Sequence, residues 1–459
     1  MHSWGDLLRA VVTGVIASRY FIPACFALFL LLRLALILLI PVTQESDAAQ
    51  YFRLAQSIGA GAGYAEHGMP TAYWPVGYPG FLGGLFALFG AHALVGQLAN
   101  LTLAAASFFL VLGLTRRIFQ SETTARVAVL LLALYPNHIA YTPLLLTELF
   151  FTFLVLGGCW LAMFRSGWRP AIIAGLLFGV ATLVKPQTLL LPAMLILLGL
   201  LPRSGRRDLR RRLRNGLLLY LALAAVLVPW SARNLLVLGS PIVVSTNGGV
   251  NLLIGNNPSA DGGYLEDDAL LAQRRFSLAD QVAADQRAKA LATQWIAGHP
   301  RRFLELMPLK ALRLWGWDGE ADWSYRIGFA NYHEFANVFR GVRAANQVYY
   351  FGLLALFLAS IAMLPGRLTR LTVPWIFFGY VFVLYTTLIS LIVFGAPRFH
   401  FPLMPWIIMY ASWVVSEWLL HRADAPSAVA RPLSDSARRD ARGAVQTPIA
   451  ADHRGLDHA

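Results

Sequence analysis

An all-α integral membrane protein, a helical bundle of about ten spans, is predicted by three features of the sequence. Of the 459 residues, 57% are hydrophobic and only 14% charged, with a mean hydropathy of +0.56. That is more apolar surface than one water-soluble core can hide. The apolar residues also fall into runs near the ~20 residues that a helix needs to cross the hydrocarbon layer, and the runs recur along most of the chain, which favours helices over a barrel. Finally, arginines cluster in the short loops between runs with a consistent alternation.

The first run, Phe21 to Pro41, follows Arg9 and Arg19 and lacks a small-residue cleavage site, so it reads as a spanning helix rather than a signal peptide. Next comes a polar, glycine-broken stretch, SDAAQYFRLAQSIGAGAGYAEHGMPTAYWPVGYP from Ser46 to Pro79. Asp47 and Tyr51 are four residues apart and share a helical face. Gly59, Gly61 and Gly63 permit unusual backbone angles while Pro70, Pro75 and Pro79 fix theirs, which predicts a shaped loop. The following GFLGGLFALFG, Gly80 to Gly90, is too short and glycine-rich to span alone and is predicted to be re-entrant or interfacial.

Spans are placed at 21–41, 94–115, 123–140, 143–164, 170–184, 186–202, 215–237, 347–364, 371–393 and 401–420. With a cytoplasmic N-terminus, Arg116/Arg117, Arg165/Arg169, the run Arg203 to Arg214, Arg367/Arg370 and Arg422 all fall on the cytoplasmic side, as the positive-inside rule requires. The opposite side then receives Thr43 to Ala93, Pro136 to Thr142, Lys185, Leu238 to Asn346 and Gly395 to His400. If 80–90 spanned the membrane, every later loop would change sides and the arginine pattern would invert.

The chain thus divides into an N-terminal transmembrane module, 1–237, whose first outer loop is 43–93; an outer segment, 238–346; C-terminal transmembrane helices, 347–421; and a tail, 422–459, expected to be disordered and cytoplasmic. The outer segment opens turn-rich, Ser245 to Tyr264, continues charged and helical from Glu266 to Gly298, and ends around Trp315, Trp317 and Trp323, aromatics suited to membrane headgroups. The net charge of +14 lies in loops rather than on a soluble face, so nucleic acid is not an expected partner. Cys25 and Cys159 each sit inside a span, which argues against a disulfide framework or a cysteine metal site. No internal repeat and no Walker, Rossmann or His/Cys metal pattern is present.

Several polar residues are candidates for chemistry. Asp47, just beyond a span, is placed to take a proton from an incoming nucleophile, or else is a solvated loop acid or helix cap beside Ser46. Glu45 is a second carboxylate or the base itself. Glu148, in TELFFTFL, is an acid at the outer end of a span, where a carboxylate marks a functional site or reaches interfacial water. Lys185 and Arg398, in LVKPQTLLLP and APRFHFPLMP, are cations at outer boundaries, where the positive-inside bias makes them less expected. A phosphate at headgroup depth would suit both, and snorkelling to lipid headgroups is the alternative. His400 is a candidate for binding or proton transfer, or an ordinary interfacial histidine. Arg33, inside the first span, is assigned a structural role. Asn247 and Asn251, in NGGVNLLIGNNP, either offer amide donors to a sugar or form a turn. A divalent cation held by Glu45, Asp47 and Glu148 is a candidate cofactor, although spacing alone does not establish a metal site.

In combination these motifs resemble the C-type glycosyltransferases, multi-spanning enzymes that use polyprenyl-phosphate sugars, and within them the branch of protein O-mannosyltransferases and lipid A aminoarabinose transferases. The match is carried in order by Asp47 with Tyr51, by Pro75-Val76-Gly77-Tyr78-Pro79 where the family commonly has PPGYP, by Thr147-Glu148, and by Arg398-Phe399 with Pro402. Lys185-Pro186 fits an Arg/Lys-Pro step of relatives, and the resemblance covers nearly the whole chain except its tail. It implies Asp47 as base, Lys185 and Arg398 as ligands of the donor phosphate, and Tyr51, Tyr78, His400, Asn247 and Asn251 as substrate-binding residues. Ala48 follows Asp47 where protein O-mannosyltransferases typically have Glu, which speaks against protein mannosylation.

The expected function is transfer of a sugar from a polyprenyl-phosphate donor to an acceptor (glycolipid, polysaccharide or protein) on the outer face of a bacterial-type inner membrane, with both termini cytoplasmic and membrane lipids as the surroundings. The competing expectation is a lipid or polysaccharide transporter. Transporters tend to show repeated halves and paired broken helices at mid-membrane, whereas here the polar residues gather on one side.

Overall fold

The structure, a computed structural model, describes residues 4–200, 206–264, 280–365 and 374–420. The tail 422–459, the stretch 266–279 of the charged segment, and Arg203, Arg367, Arg370 and Arg422 lie outside the described residues. The main compact unit ends at Ser416, and Glu417 to Leu420 are the described beginning of a second unit.

Among the described residues seven helices are long and apolar enough to cross a membrane: Phe21–Leu39, Ala93–Phe119, Thr147–Phe164, Asp208–Leu238, Ala336–Met363, Pro374–Ile392 and Pro397–Leu420. Each corresponds to one of the ten expected spans. The other three differ for local reasons. Trp168–Val184 has 17 residues, the lower limit for a crossing. Pro186–Leu190 is a 3-10 turn that leads into the helix Leu191–Leu200. The expected span 123–140 is broken, because Pro136 lacks an amide proton and holds Tyr135 in extended backbone (φ −69°, ψ 109°). Its pieces are Glu122–Leu134 and Pro136–Ala140.

Arg33 serves this break. Buried completely, its guanidinium donates to the Leu132 and Ala133 carbonyls (both 3.3 Å) and to the Phe29 carbonyl (3.0 Å), and lies 2.9 Å from His138 Nδ1. Carbonyls at a helix C-terminus have no partner within the helix, so a cation there satisfies them.

The next helix begins at Thr147 rather than near Pro143. Residues 141–146 form a buried turn held by side-chain amides: Gln44 and Gln97 donate to the Pro143 carbonyl (3.1 Å each), Asn100 donates to the Leu144 carbonyl (2.8 Å), and the Leu145 amide donates to Gln44 Oε1 (2.8 Å).

In the loop 43–93, expected on the outer side, Ser46–Gly59 is helical and packs along a second helix, Gly77–Phe89. The latter has 13 residues and is therefore about 20 Å long, short of the ~30 Å hydrocarbon core. Between them lies a two-residue hairpin, with Ala65 opposite Pro70 and Glu66 opposite Met69. Its turn residues His67 and Gly68 both have positive φ, as a tight hairpin turn requires.

The outer segment clasps this loop. Gln281 Oε1 accepts from the Ala72 amide (2.8 Å), and the Thr246 amide donates to the Ala72 carbonyl (2.8 Å). The stretch Asn247 to Pro258, expected to be a turn or a donor of amides, contains a helix, Gly248–Ile254. Its apolar face is buried against Ala288, Ala292 and Phe394, which explains the apolar residues Val250, Leu253 and Ile254 between the asparagines.

Candidate active site

A cavity of about 2140 Å³ lies where the first loop, the outer segment and the ends of several membrane helices meet. Four residues drawn from positions 47, 148, 185 and 398 of the chain converge at its edge. Asp47 is the second residue of the helix Ser46–Gly59 and Glu148 the second of Thr147–Phe164. Lys185 stands just after Trp168–Val184, where Pro186 ends the helix, and Arg398 lies in the short helix Pro397–His400.

Arg398 is the hub. Its Nη1 donates to Asp47 Oδ2 at 2.5 Å and its Nε to Glu148 Oε1 at 3.2 Å. Lys185 Nζ donates to that same Glu148 oxygen at 3.2 Å. The Glu148 side chain is fully buried, whereas Lys185, Arg398 and Asp47 retain 12, 21 and 26% exposure and line the cavity. Glu148 therefore acts from behind. A buried carboxylate holds two cations side by side, and the cations present their remaining donors to the open space. Its other oxygen, Oε2, is buried without a hydrogen-bond partner.

Local backbone explains how the groups arrive. Ser46 takes left-handed backbone (φ 51°), which costs a non-glycine residue roughly 1–2 kcal/mol and turns the chain sharply into Asp47. The Pro75 to Pro79 element shapes the opposite wall through Gly77. A side chain there would lie 2.6 Å from Val184 Cγ2 and 2.7 Å from the Leu183 carbonyl carbon, so only glycine lets this helix start press against the turn that carries Lys185.

A third acid, which the sequence analysis passed over, completes the group. Glu320 lines the cavity, and its Oε2 accepts the backbone amide of Arg398 at 3.0 Å. Burial raises its carboxyl above the ordinary range, against the pull of the nearby Arg398 charge.

The remaining sequence candidates divide. Tyr51 lines the cavity with its ring edge-on to Trp74 and Tyr78, and burial together with the neighbouring Asp47 raises its phenol. Glu45 precedes the first-loop helix, exposed at the rim, and accepts from the Thr43 hydroxyl at 3.3 Å. Asn247 and Asn251 also border the cavity.

Tyr78 and His400 do not. Tyr78 is fully buried and donates to Asn100 Oδ1 (3.3 Å). His400 is fully buried between the rings of Trp315 and Tyr350, with its nitrogens facing the Leu314 carbonyl and Asp318. Neither residue lines the cavity, and each makes its hydrogen bonds within the fold.

The carboxylates named for a divalent cation do not converge on a shared point. Asp47 and Glu148 both face Arg398, and among the described residues no three His, Cys, Asp or Glu side chains gather as metal ligands.

Comparison with known proteins adds two findings. Residues 74–231 match the family model described as dolichyl-phosphate-mannose-protein mannosyltransferase, a stretch that includes Glu148 and Lys185. In structure the chain is similar to the oligosaccharyltransferase AglB of Archaeoglobus fulgidus in complex with an inhibitory peptide and a dolichol-phosphate, with 13% identity, a TM-score of 0.51, and coverage of 92% of this chain and 53% of that one. The same archaeal enzyme tethered to an acceptor peptide gives 15% identity and a TM-score of 0.51 over 89% of this chain and 51% of that one. ArnT from Cupriavidus metallidurans bound to undecaprenyl phosphate aligns with 14% identity and a TM-score of 0.39, covering 88% and 77%. The chain thus spans about half the length of the archaeal structures it matches. No match was found among curated protein sequences.

Proposed function

We propose, on the premise that the chain has the C-type glycosyltransferase fold, that it transfers a glycosyl group from a polyprenyl-phosphate donor to an acceptor at the outer face of a bacterial-type inner membrane, with both termini cytoplasmic. The observation that carries this reading is the convergence of Lys185 and Arg398 beside the Asp47 carboxylate on one cavity wall. A sugar on a lipid phosphate is already activated. The bond between the anomeric carbon and the phosphate oxygen breaks, its electron pair leaves on the phosphate, and the acceptor's nucleophilic atom takes its place while giving up a proton. The protein must neutralise the leaving anion, align the acceptor and receive that proton.

Lys185 and Arg398 are the groups for the leaving phosphate, the first as a point charge and the second as a planar fork. Asp47 is the group for the proton. Arg398 holds Asp47 through a direct hydrogen bond. A phosphate that draws the guanidinium toward itself releases the Asp47 carboxylate to receive the acceptor's proton. Tyr51, Trp74 and the asparagines Asn247 and Asn251 line the space left for the sugar and acceptor.

The test is to incubate purified protein with a panel of radiolabelled polyprenyl-phosphate sugars, with and without chelator, and to follow which label moves and onto what. Label transfer that is lost in Arg398→Ala and Lys185→Ala supports the reading. Failure to consume any lipid-phosphate sugar, in either condition, overturns it.

A further inference from the structure

Asp318 and His400 take no part in the chemistry described above, yet both are fully buried and polar. Asp318 accepts from four side chains: Asn137 Nδ2 (2.5 Å) and His400 Nε2 (3.1 Å) reach Oδ1, while the Tyr135 hydroxyl (2.7 Å) and Asn346 Nδ2 (3.0 Å) reach Oδ2. Its own amide donates to Gln347 Oε1 at 3.1 Å. The other nitrogen of His400, Nδ1, faces the Leu314 carbonyl at 2.6 Å, a group that can only accept.

The spacing gives this cluster its meaning. Asp318 is two residues before Glu320, and His400 is two residues after Arg398. The segments 318–320 and 398–400 are therefore joined by two rungs: Asp318 to the His400 ring, and Glu320 Oε2 to the Arg398 amide. The lower rung is anchored in turn to the broken helix through Tyr135 and Asn137, and to the helix Ala336–Met363 through Asn346. Four segments of the chain thus meet on one carboxylate immediately beneath the hub of the site.

We propose that Asp318 and His400, with Glu320, are positioning residues that fix the turn carrying Arg398, so that its guanidinium stands at the donor phosphate site. This rests on the transferase reading for its consequence, though the geometric part is independent of it. A buried carboxylate that is fully satisfied has few alternative arrangements, and that rigidity is what a phosphate-binding arginine in the opening turn of a helix requires.

The experiment has two arms. In the first, backbone hydrogen exchange is followed over 396–403 in the full chain reconstituted in nanodiscs. Asp318→Asn and Glu320→Ala should each speed exchange of the Arg398 amide, and Glu320→Gln, whose amide oxygen still accepts, should restore protection. Unchanged exchange in both Asp318→Asn and Glu320→Ala overturns the proposal whether or not the protein is a transferase.

In the second arm, undecaprenyl phosphate binding is titrated on the folded fraction. Asp318→Asn and His400→Asn should weaken it on the order of tenfold to a hundredfold, the scale of a roughly 1 Å misplacement. A purely structural role predicts less folded protein with an unchanged Kd, and that result also overturns the proposal. If Asp318→Asn fails to fold, Glu320→Ala and its glutamine rescue decide both arms. Absence of binding by the unaltered protein counts against the transferase reading alone, and the exchange arm still decides the positioning role.

Discussion

Replacing Asp47 by Asn should tighten the binding of a lipid phosphate while removing transfer. The carboxylate and Arg398 form a 2.5 Å charge-assisted contact between groups that are 26 and 21% exposed. An ion pair neither fully buried nor fully solvated, and made through a direct hydrogen bond, stabilises by about 1–2 kcal/mol after discounting for solvent screening. A donor that must draw Arg398 away from Asp47 gives up that stabilisation on binding. Removing the charge removes the competitor, and at 1.4 kcal/mol per factor of ten the variant should bind undecaprenyl phosphate roughly 5- to 30-fold more tightly. Loss of a proton acceptor typically costs ~10²- to 10⁴-fold in the chemical step. Equilibrium binding in nanodiscs reads the first quantity, and single-turnover label transfer the second. Weaker binding by Asp47→Asn would refute the competition argument, and undiminished turnover would remove Asp47 as the base.

Three further outcomes follow from the same geometry. Glu148→Gln leaves Lys185 and Arg398 beside an amide in place of a buried carboxylate, so thermal unfolding should report a loss of about 3–5 kcal/mol; an unchanged midpoint would mean that the buried carboxylate does not hold the pair together. Gly77→Val drives a side chain into Leu183 and Val184, and should cost about 1–3 kcal/mol and weaken donor use through the displaced Lys185 turn, measured as a raised KM; wild-type kinetics would remove Gly77 as a shaping element. Lys310 is buried against Asn256 and the Ile392 carbonyl with no acid partner among the described residues, and burial lowers it to about 8 from its ordinary 10.5. The unfolded chain then binds more protons than the folded one between those values, so stability should rise with pH from about 8 to 10.5, and Lys310→Met should abolish that rise in a thermal-shift series.

What could be read beforehand, and what could not, separates along physical lines. Hydropathy and loop arginines report on transfer between water and lipid, a property of single segments, and they located seven long helices, although Asp208–Leu238 and Ala336–Met363 begin well before the expected 215 and 347. They misjudged the segment 123–140 because composition does not register one missing amide proton at Pro136. Asp47, Glu148, Lys185 and Arg398 stood out because a charge near an apolar run is costly and invites an explanation. Tyr78 stood out through the motif Pro75 to Pro79 and His400 through its place two residues from Arg398, and both are buried with partners inside the fold, since sequence shows that a polar group must be satisfied but not by whom.

The residues that escaped notice are instructive in the opposite sense. Asp318 and Glu320 lie in WGWDGEADW, an acidic stretch of the outer segment, where a carboxylate is ordinarily solvated and calls for no partner. The signal available was the company they keep. Tryptophans flank them on both sides, and a buried carboxylate such as Asp318 must find donors, which here come from Tyr135 and Asn137 at the helix break some 180 positions earlier. Arg398 lies in the opening turn, Pro397–His400, of the helical stretch Pro397–Leu420, where backbone amides have no partner within the helix. The Arg398 amide finds its partner in Glu320. That partner comes from the one outer segment that also roofs the cavity, so the acids of that segment and the cations of the membrane helices form one site rather than two.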